Sequence, residues 1–275
     1  MSDRGVLGTR AGSRPARTPF QIQRDVIYAL LIREVSSKFG KSRASFLWVL
    51  FEPVAHLVFP IVMFGFALER TLPGIDYPVF LVYGFVPFLV FKTICLQTME
   101  GARVNRGLMS YRQVLLMDVF VANALAYCSV EAMVFAVVLT GLAMLGFDVL
   151  PSLPMEFGGV LALTVLLAFA LGLLFGALTS VVPDAKAVVR VLFIPLYFLS
   201  GILFPVSRFP EEWVQWLAIN PVLHLVEMSR GAAVTHYVPM RFMSLEYLAA
   251  VTVVSLFIGL GILMSVQAHR KLVAT

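Results

Sequence analysis

A chain of 275 residues that is 60% hydrophobic and 13% charged, against about 25% charged in an ordinary soluble domain, is not a water-soluble globule. Its mean hydropathy of +0.90 and net charge of +5 fit an integral membrane protein whose retained cytosolic loops are rich in Lys and Arg, so the basic balance does not call for nucleic acid. Cys95 and Cys128 both fall in apolar runs, which favours packed thiols over a disulfide or a metal site.

The chain opens with residues 1–18, where Arg4, Arg10, Arg14 and Arg17 stand among Gly, Ser and Pro; this reads as a disordered basic cytosolic tail. It has neither the apolar core nor the cleavage site of a signal peptide. Residues 19–41 follow as an amphipathic helix. Thr18 can cap it, Pro19 suits its first turn, and Ile22, Val26, Ile27, Leu30, Leu31, Val35 and Phe39 recur at helical spacing, opposite Arg24, Asp25, Arg33, Glu34 and Lys38. Beside a bilayer such a helix lies along the cytoplasmic interface; the plainer reading is a helix packed on a partner.

A spanning helix needs ~20 mostly apolar residues. Six runs qualify, at 46–68, 79–96, 119–147, 157–182, 188–204 and 245–266. The third is long enough to tilt or extend into the cytosol, and Pro195 should kink the fifth. Arg4 to Arg43, then Arg103, Arg106 and Arg112, then Lys186 and Arg190, then Arg270 and Lys271 all fall on one side of these runs. Only Arg70, Arg208, Arg230 and Arg241 fall on the other, and Lys92 is left inside a run. This bias places both termini in the cytoplasm, in agreement with an even number of spans.

Between the second and third runs, the loop 101–118 carries Asn105, Arg106, Leu108, Met109, Tyr111 and Arg112. A short segment with apolar side chains set among charges is suited to touching another protein. Between the fifth and sixth runs, residues 207–230 imply two short amphipathic helices broken at Asn220-Pro221, because a residue before proline avoids the helical conformation. Each is too short to span, so an external re-entrant or interfacial pair is expected. In the fourth run Ala168, Gly172, Gly176 and Ser180 form a small-residue stripe that suits close helix packing within the subunit.

Glu52, Lys92 and Glu131 lie in or near the runs, where a charge costs ~3 kcal/mol on insertion scales. They mark either a polar pathway, with His56 one helical turn after Glu52, or buried pairs that fix helix register. Gly40-Lys41-Ser42 mimics the tail of a phosphate-binding loop, but Val35 occupies the position of the first glycine and no strand precedes it. No hydrolase or group-transfer motif is present. An ATP-independent intramembrane enzyme would have to be built on isolated residues such as His224 and Glu227.

The order of these parts resembles the membrane subunit of type-2 ABC transporters. Leu31-Ile32-Arg33-Glu34, Lys38-Phe39-Gly40-Lys41-Ser42-Arg43 and Phe46-Leu47-Trp48-Val49-Leu50-Phe51-Glu52-Pro53 resemble the N-terminal signature of its polysaccharide-exporting members. Ser200-Gly201-Ile202-Leu203-Phe204-Pro205, Trp216-Leu217-Ala218-Ile219-Asn220-Pro221, Glu227 and Arg230 resemble the C-terminal block. Glu52-Pro53 with His56 is most similar to KpsM-type capsule exporters; Ser45 stands where that block commonly has Gly.

The resemblance covers residues 20–271 and implies an all-α integral membrane protein of six transmembrane helices, with the type-2 ABC transmembrane domain at 46–271. It implies a homodimer with two copies of a separate cytosolic ATP-binding subunit, so that ATP and Mg belong to that partner and no cofactor to this chain. Asn105, Arg106, Leu108, Tyr111 and Arg112 would couple to the ATPase. Trp213, Trp216, Asn220, Pro221, Glu227 and Arg230 would form an external gate. The cargo implied is a lipid-linked acidic polysaccharide moved from cytosol to periplasm across an inner membrane, with a periplasmic adaptor and an outer-membrane channel beyond; O-antigen, teichoic acid or a small molecule are the alternative cargoes. Aromatic rings stack on sugars and cations attract acidic groups, so the path candidates are Tyr28, Arg33, Phe39, Lys41, Arg43, Trp48, Phe51, Glu52, His56, Phe88, Phe91 and Lys92.

Overall fold

A computed structural model of the chain describes residues 18–39, 43–69, 75–104 and 116–273. Among these residues there are helices and no strands: α1 Pro19–Phe39, α2 Arg43–Glu69, α3 Tyr77–Val104, α4 Leu116–Met144, α5 Pro154–Val181, α6 Ala185–Leu199, α7 Glu211–Leu217, α8 Pro221–Ala233 and α9 Leu245–Val273, with a single 3-10 turn at Val206–Arg208. Residues 1–17 of the basic tail, and Gly40, Lys41 and Ser42, lie outside the described residues.

Among the described residues, four helices are both long and apolar enough to cross a membrane: Tyr77–Gly101, Met117–Met144, Pro154–Val181 and Leu245–Ser265. In α2, 27 residues long, the apolar stretch among described side chains runs Val54–Phe64. The run at 188–204 is helical over only part of its length. Its helix, α6, has 15 residues and ends at Leu199, and at 1.5 Å per residue it rises only about 22 Å. The reason is local: Gly201 takes φ +65°, a left-handed conformation that stops the helix, and the next carbonyls turn inward to a buried arginine.

The core is built around α3, which is wrapped by α2, α4, α5, α6 and α8, with α9 packed on the far side of α5. Tyr77, Phe80, Leu81, Val82, Tyr83, Phe88, Phe91 and Ile94 of α3 are all buried, the pattern of a central helix packed on most of its circumference. The small-residue stripe of α5 is what lets α3 approach. A Cβ on Gly172 would lie 2.6 Å from the Thr98 Cβ and 2.8 Å from the Cys95 carbonyl oxygen.

α1 begins with a reciprocal capping box: the Gln21 backbone N–H donates to Thr18 Oγ1 at 3.3 Å, and the Thr18 N–H donates to Gln21 Oε1 at 3.0 Å. The helix then packs along the first half of α4 and in the same direction. Gln23 Nε2 donates to Asp118 Oδ1 at 3.0 Å, Leu30 packs with Val119 and Ala122, and Tyr127 Oη donates to Glu34 Oε1 at 3.4 Å.

Candidate functional site

The two half-helices between α6 and α9 form a cap over one end of the bundle. Asn220 builds the break between them. Its side-chain oxygen accepts the Val222 N–H at 2.9 Å, capping α8, while Nδ2 donates to Ser200 Oγ at 2.9 Å and holds the cap against the end of α6. Pro221 supplies the fixed φ of the first helical turn. Glu211 and Glu212 sit in the first turn of α7, where the helix dipole favours acids.

His224, buried on α8, spends both ring nitrogens on the backbone. Nε2 lies 2.8 Å from the Ala218 carbonyl, and the Ser244 N–H donates to Nδ1 at 3.0 Å. That pairing sets the neutral tautomer with the proton on Nε2. Tyr247 stacks near this ring at 4.7 Å and donates its hydroxyl to the Ile219 carbonyl at 2.6 Å.

Three residues on, the chain places Glu227, and three further, Arg230; both are fully buried. The Arg230 guanidinium donates to three backbone carbonyls: Nε to Phe80 at 3.1 Å, Nη1 to Gly201 at 2.7 Å and Nη2 to Ile202 at 2.6 Å. It also lies 3.6 Å from the Phe80 ring centroid and 3.7 Å from Glu227 Oε1. Tyr237 donates its hydroxyl to the same Glu227 oxygen at 2.6 Å. Burial, and then the neighbouring carboxylate, push the Tyr237 phenol well above its ordinary range, so it remains a donor.

One cation is therefore satisfied by α3, by the segment after α6 and by its own helix. This is a rivet. His224 is committed in the same way, and Glu227 Oε1 is held by Tyr237 and Arg230, while Glu227 Oε2 is buried without a hydrogen bond to any described residue.

The outward face of the cap carries Trp213 and Trp216, both well exposed, with Ile219 beside them. Among the six residues expected at an external gate, the structure thus separates two roles. Asn220, Pro221, Glu227 and Arg230 hold the cap together, and Trp213 and Trp216 project from it.

At the other end of the bundle, Glu100 in the last turns of α3 meets two cations from the start of α6. Lys186 Nζ lies 3.1 Å from Oε2, and the Arg190 guanidinium pairs with Oε1. Neither Glu100, Asp118 nor Glu34 was among the sequence candidates. The i, i+4 spacing of Lys186 and Arg190 on one helical face was the available signal.

The path candidates divide as well. Tyr28 of α1 and Trp48 and Phe51 of α2 are exposed, and the Trp48 and Phe51 rings are 5.7 Å apart. Arg33 is half exposed and lies 3.6 Å from Glu34. His56 is exposed, with its ring stacked on Phe85 at 6.5 Å. Lys92 is exposed on α3 and forms no ion pair with a described residue. Phe88 and Phe91 are buried, the first against Tyr197 at 5.3 Å and the second against Phe193 at 5.9 Å, filling the space between α3 and α6. Glu131 is buried on α4. The side chains of Phe39, Arg43 and Glu52, and Lys41 as a whole, lie outside the described residues. So do Asn105, Arg106, Leu108, Tyr111 and Arg112 of the loop between α3 and α4.

Residues 25–234 match the family model of ABC-2 type transporters. The chain is 35% identical over 249 residues to the polysialic acid transport protein KpsM of Escherichia coli, an alignment covering 90% of this chain and 95% of that one. It is 26% identical to the capsule polysaccharide export inner-membrane protein BexB of Haemophilus influenzae, over 83% of this chain and 88% of that one. It is 25% identical to the O-antigen export system permease protein RfbA of Myxococcus xanthus, over 85% and 89% respectively.

Proposed function

The chain belongs to the ABC-2 type transporter family, and from that premise we propose that it is the membrane subunit of an ATP-driven exporter of capsular polysaccharide. It is a permease and not an enzyme; ATP hydrolysis falls to a separate subunit. The observation that carries the cargo is the 35% identity to a polysialic acid transporter along nearly the full length of both chains. A lipid-linked acidic polysaccharide is the substrate class, and the inner membrane is the site of action.

Two copies of the chain assemble with two ATP-binding subunits. Both termini and the loop 105–115 face the cytosol, where Leu108 and Tyr111 meet the ATPase. The Arg230 cap faces the periplasm, where an adaptor and an outer-membrane channel continue the route. The five helices α2, α3, α4, α5 and α9 cross the bilayer, and the sixth crossing is α6 extended by residues 200–204. Non-helical backbone at membrane depth survives only where its polar groups are satisfied inside the protein. Arg230 does this for the Gly201 and Ile202 carbonyls, and that supports the crossing.

A long anionic glycan needs many weak contacts. Exposed Trp48, Phe51 and His56 on α2, with Lys92 on α3, support a path between protomers along this face. The test is deletion and complementation in the source cell. Capsule should vanish from the surface while polysaccharide accumulates inside, and the protein should purify with its ATPase. Normal surface capsule after deletion would overturn the reading. The likeness to an O-antigen permease supports one alternative cargo; loss of long lipopolysaccharide chains with intact capsule would select it.

A further inference from the structure

We propose that the groove between α1 and α4 holds one acyl chain of an anionic glycerophospholipid, with the lipid phosphate at Arg24. The groove encloses about 430 Å³ and is walled by Phe20, Ile27, Tyr28 and Leu31 of α1 and Leu125 of α4. That volume is within the roughly 300–1,000 Å³ of ligand clefts. Its walls are almost wholly apolar, and three of them face outward as large uncovered surfaces: Phe20 at 75% exposure, Tyr28 at 65% and Leu125 at 47%. A slot of this kind on a helix flanking a bilayer gains by covering itself with hydrocarbon.

The polar groups of the lining choose the headgroup. Gln23 is already spent on Asp118. Arg24, 69% exposed at its side chain, uses one guanidinium nitrogen on Asp25 at 3.2 Å, and a guanidinium carries five N–H donors in all. One exposed arginine at a bilayer surface attracts anionic lipid in preference to zwitterionic lipid by about 1 kcal/mol. The inference concerns a membrane lipid rather than the cargo, and it stands whether or not the exported polymer is a capsule.

The test uses the purified full-length chain, stripped of lipid in detergent and then supplied with palmitoyl-oleoyl phosphatidylglycerol or phosphatidylethanolamine, with bound lipid counted by native mass spectrometry. Wild type should retain phosphatidylglycerol over phosphatidylethanolamine. Arg24→Gln should lower that preference about fivefold, the equivalent of one basic residue at a lipid surface, and Arg24→Lys should keep it if Arg24→Gln proves unstable. Leu125→Trp, which fills the slot, should reduce retention of both lipids. Equal retention of the two lipids by wild type would overturn the proposal. So would unchanged retention by Leu125→Trp, or displacement of bound phosphatidylglycerol by inorganic phosphate, which would make Arg24 an anion site with no chain beside it. A disulfide-linked dimer of Leu125→Cys formed in phosphatidylglycerol bilayers would put a second copy of the protein in the groove and would also overturn it.

Discussion

The guanidinium of Arg230 fills the space that a side chain on Gly84 would need: a Cβ at Gly84 would stand 2.6 Å from Arg230 Cζ. The guanidinium cannot swing aside, because three carbonyls from two distant segments hold it. Gly84→Ala should therefore destabilise the protein by about 1–3 kcal/mol, the usual cost of overpacking. Thermal unfolding of the purified variant measures this. An unchanged midpoint would mean that the cap can shift away from α3 without loss.

Removing the cation is a larger injury than crowding it. Arg230→Met leaves the Glu227 carboxylate buried beside the unpaired Gly201 and Ile202 carbonyls, and breaking a buried pair from one side costs about 3–5 kcal/mol. Adding Glu227→Gln removes the stranded charge, so the double variant should recover part of the loss. A double-mutant cycle in denaturant reads this coupling. Additive losses would show that Glu227 contributes through Tyr237 alone.

The loop between α3 and α4 carries a prediction that belongs to assembly. Leu108→Asp with Tyr111→Asp should leave membrane insertion intact and weaken association with the ATP-binding subunit by about 30-fold or more, as loss of an interface hot spot does. Co-purification and ATPase stimulation measure it. Undiminished co-purification would move the docking surface elsewhere.

Much of the framework follows from local chemistry. The start of α1 is readable in Thr18, Pro19 and Gln21, since a capping box acts within one turn. The break at Asn220-Pro221 is readable because proline restricts the residue before it. The partners of Arg230 are not readable in the same way. They are backbone carbonyls at separations of 150, 29 and 28 residues, and a carbonyl has no residue identity to betray it. The end of α6 is only half readable: Gly201 offers a left-handed stop, but residues 200–204 are apolar enough to continue the run, and the tertiary capture of the Gly201 and Ile202 oxygens that favours leaving the helix leaves no mark in the sequence. Phe88 and Phe91 are aromatic in either setting, so type alone could not separate a ring packed on α6 from one facing a path.

Glu100 joins the end of α3 that leads toward the loop 105–115 to the beginning of α6, through Lys186 and Arg190. Arg190 is about half exposed, and solvent-screened pairs contribute at most ~1 kcal/mol. Glu100→Gln should thus change the unfolding midpoint little. Its larger effect should fall on coupling, because movement delivered to α3 would no longer be passed to α6 by a fixed charge contact. Transport-linked ATPase should drop while basal ATPase and folded yield stay near wild type. The charge-reversed combination Glu100→Lys with Lys186→Glu and Arg190→Glu restores attraction across the same junction and should recover part of the coupling. If the reversal performs no better than Glu100→Gln alone, the contact serves only local packing, and the α3–α6 junction is not a route by which the ATPase moves the bundle.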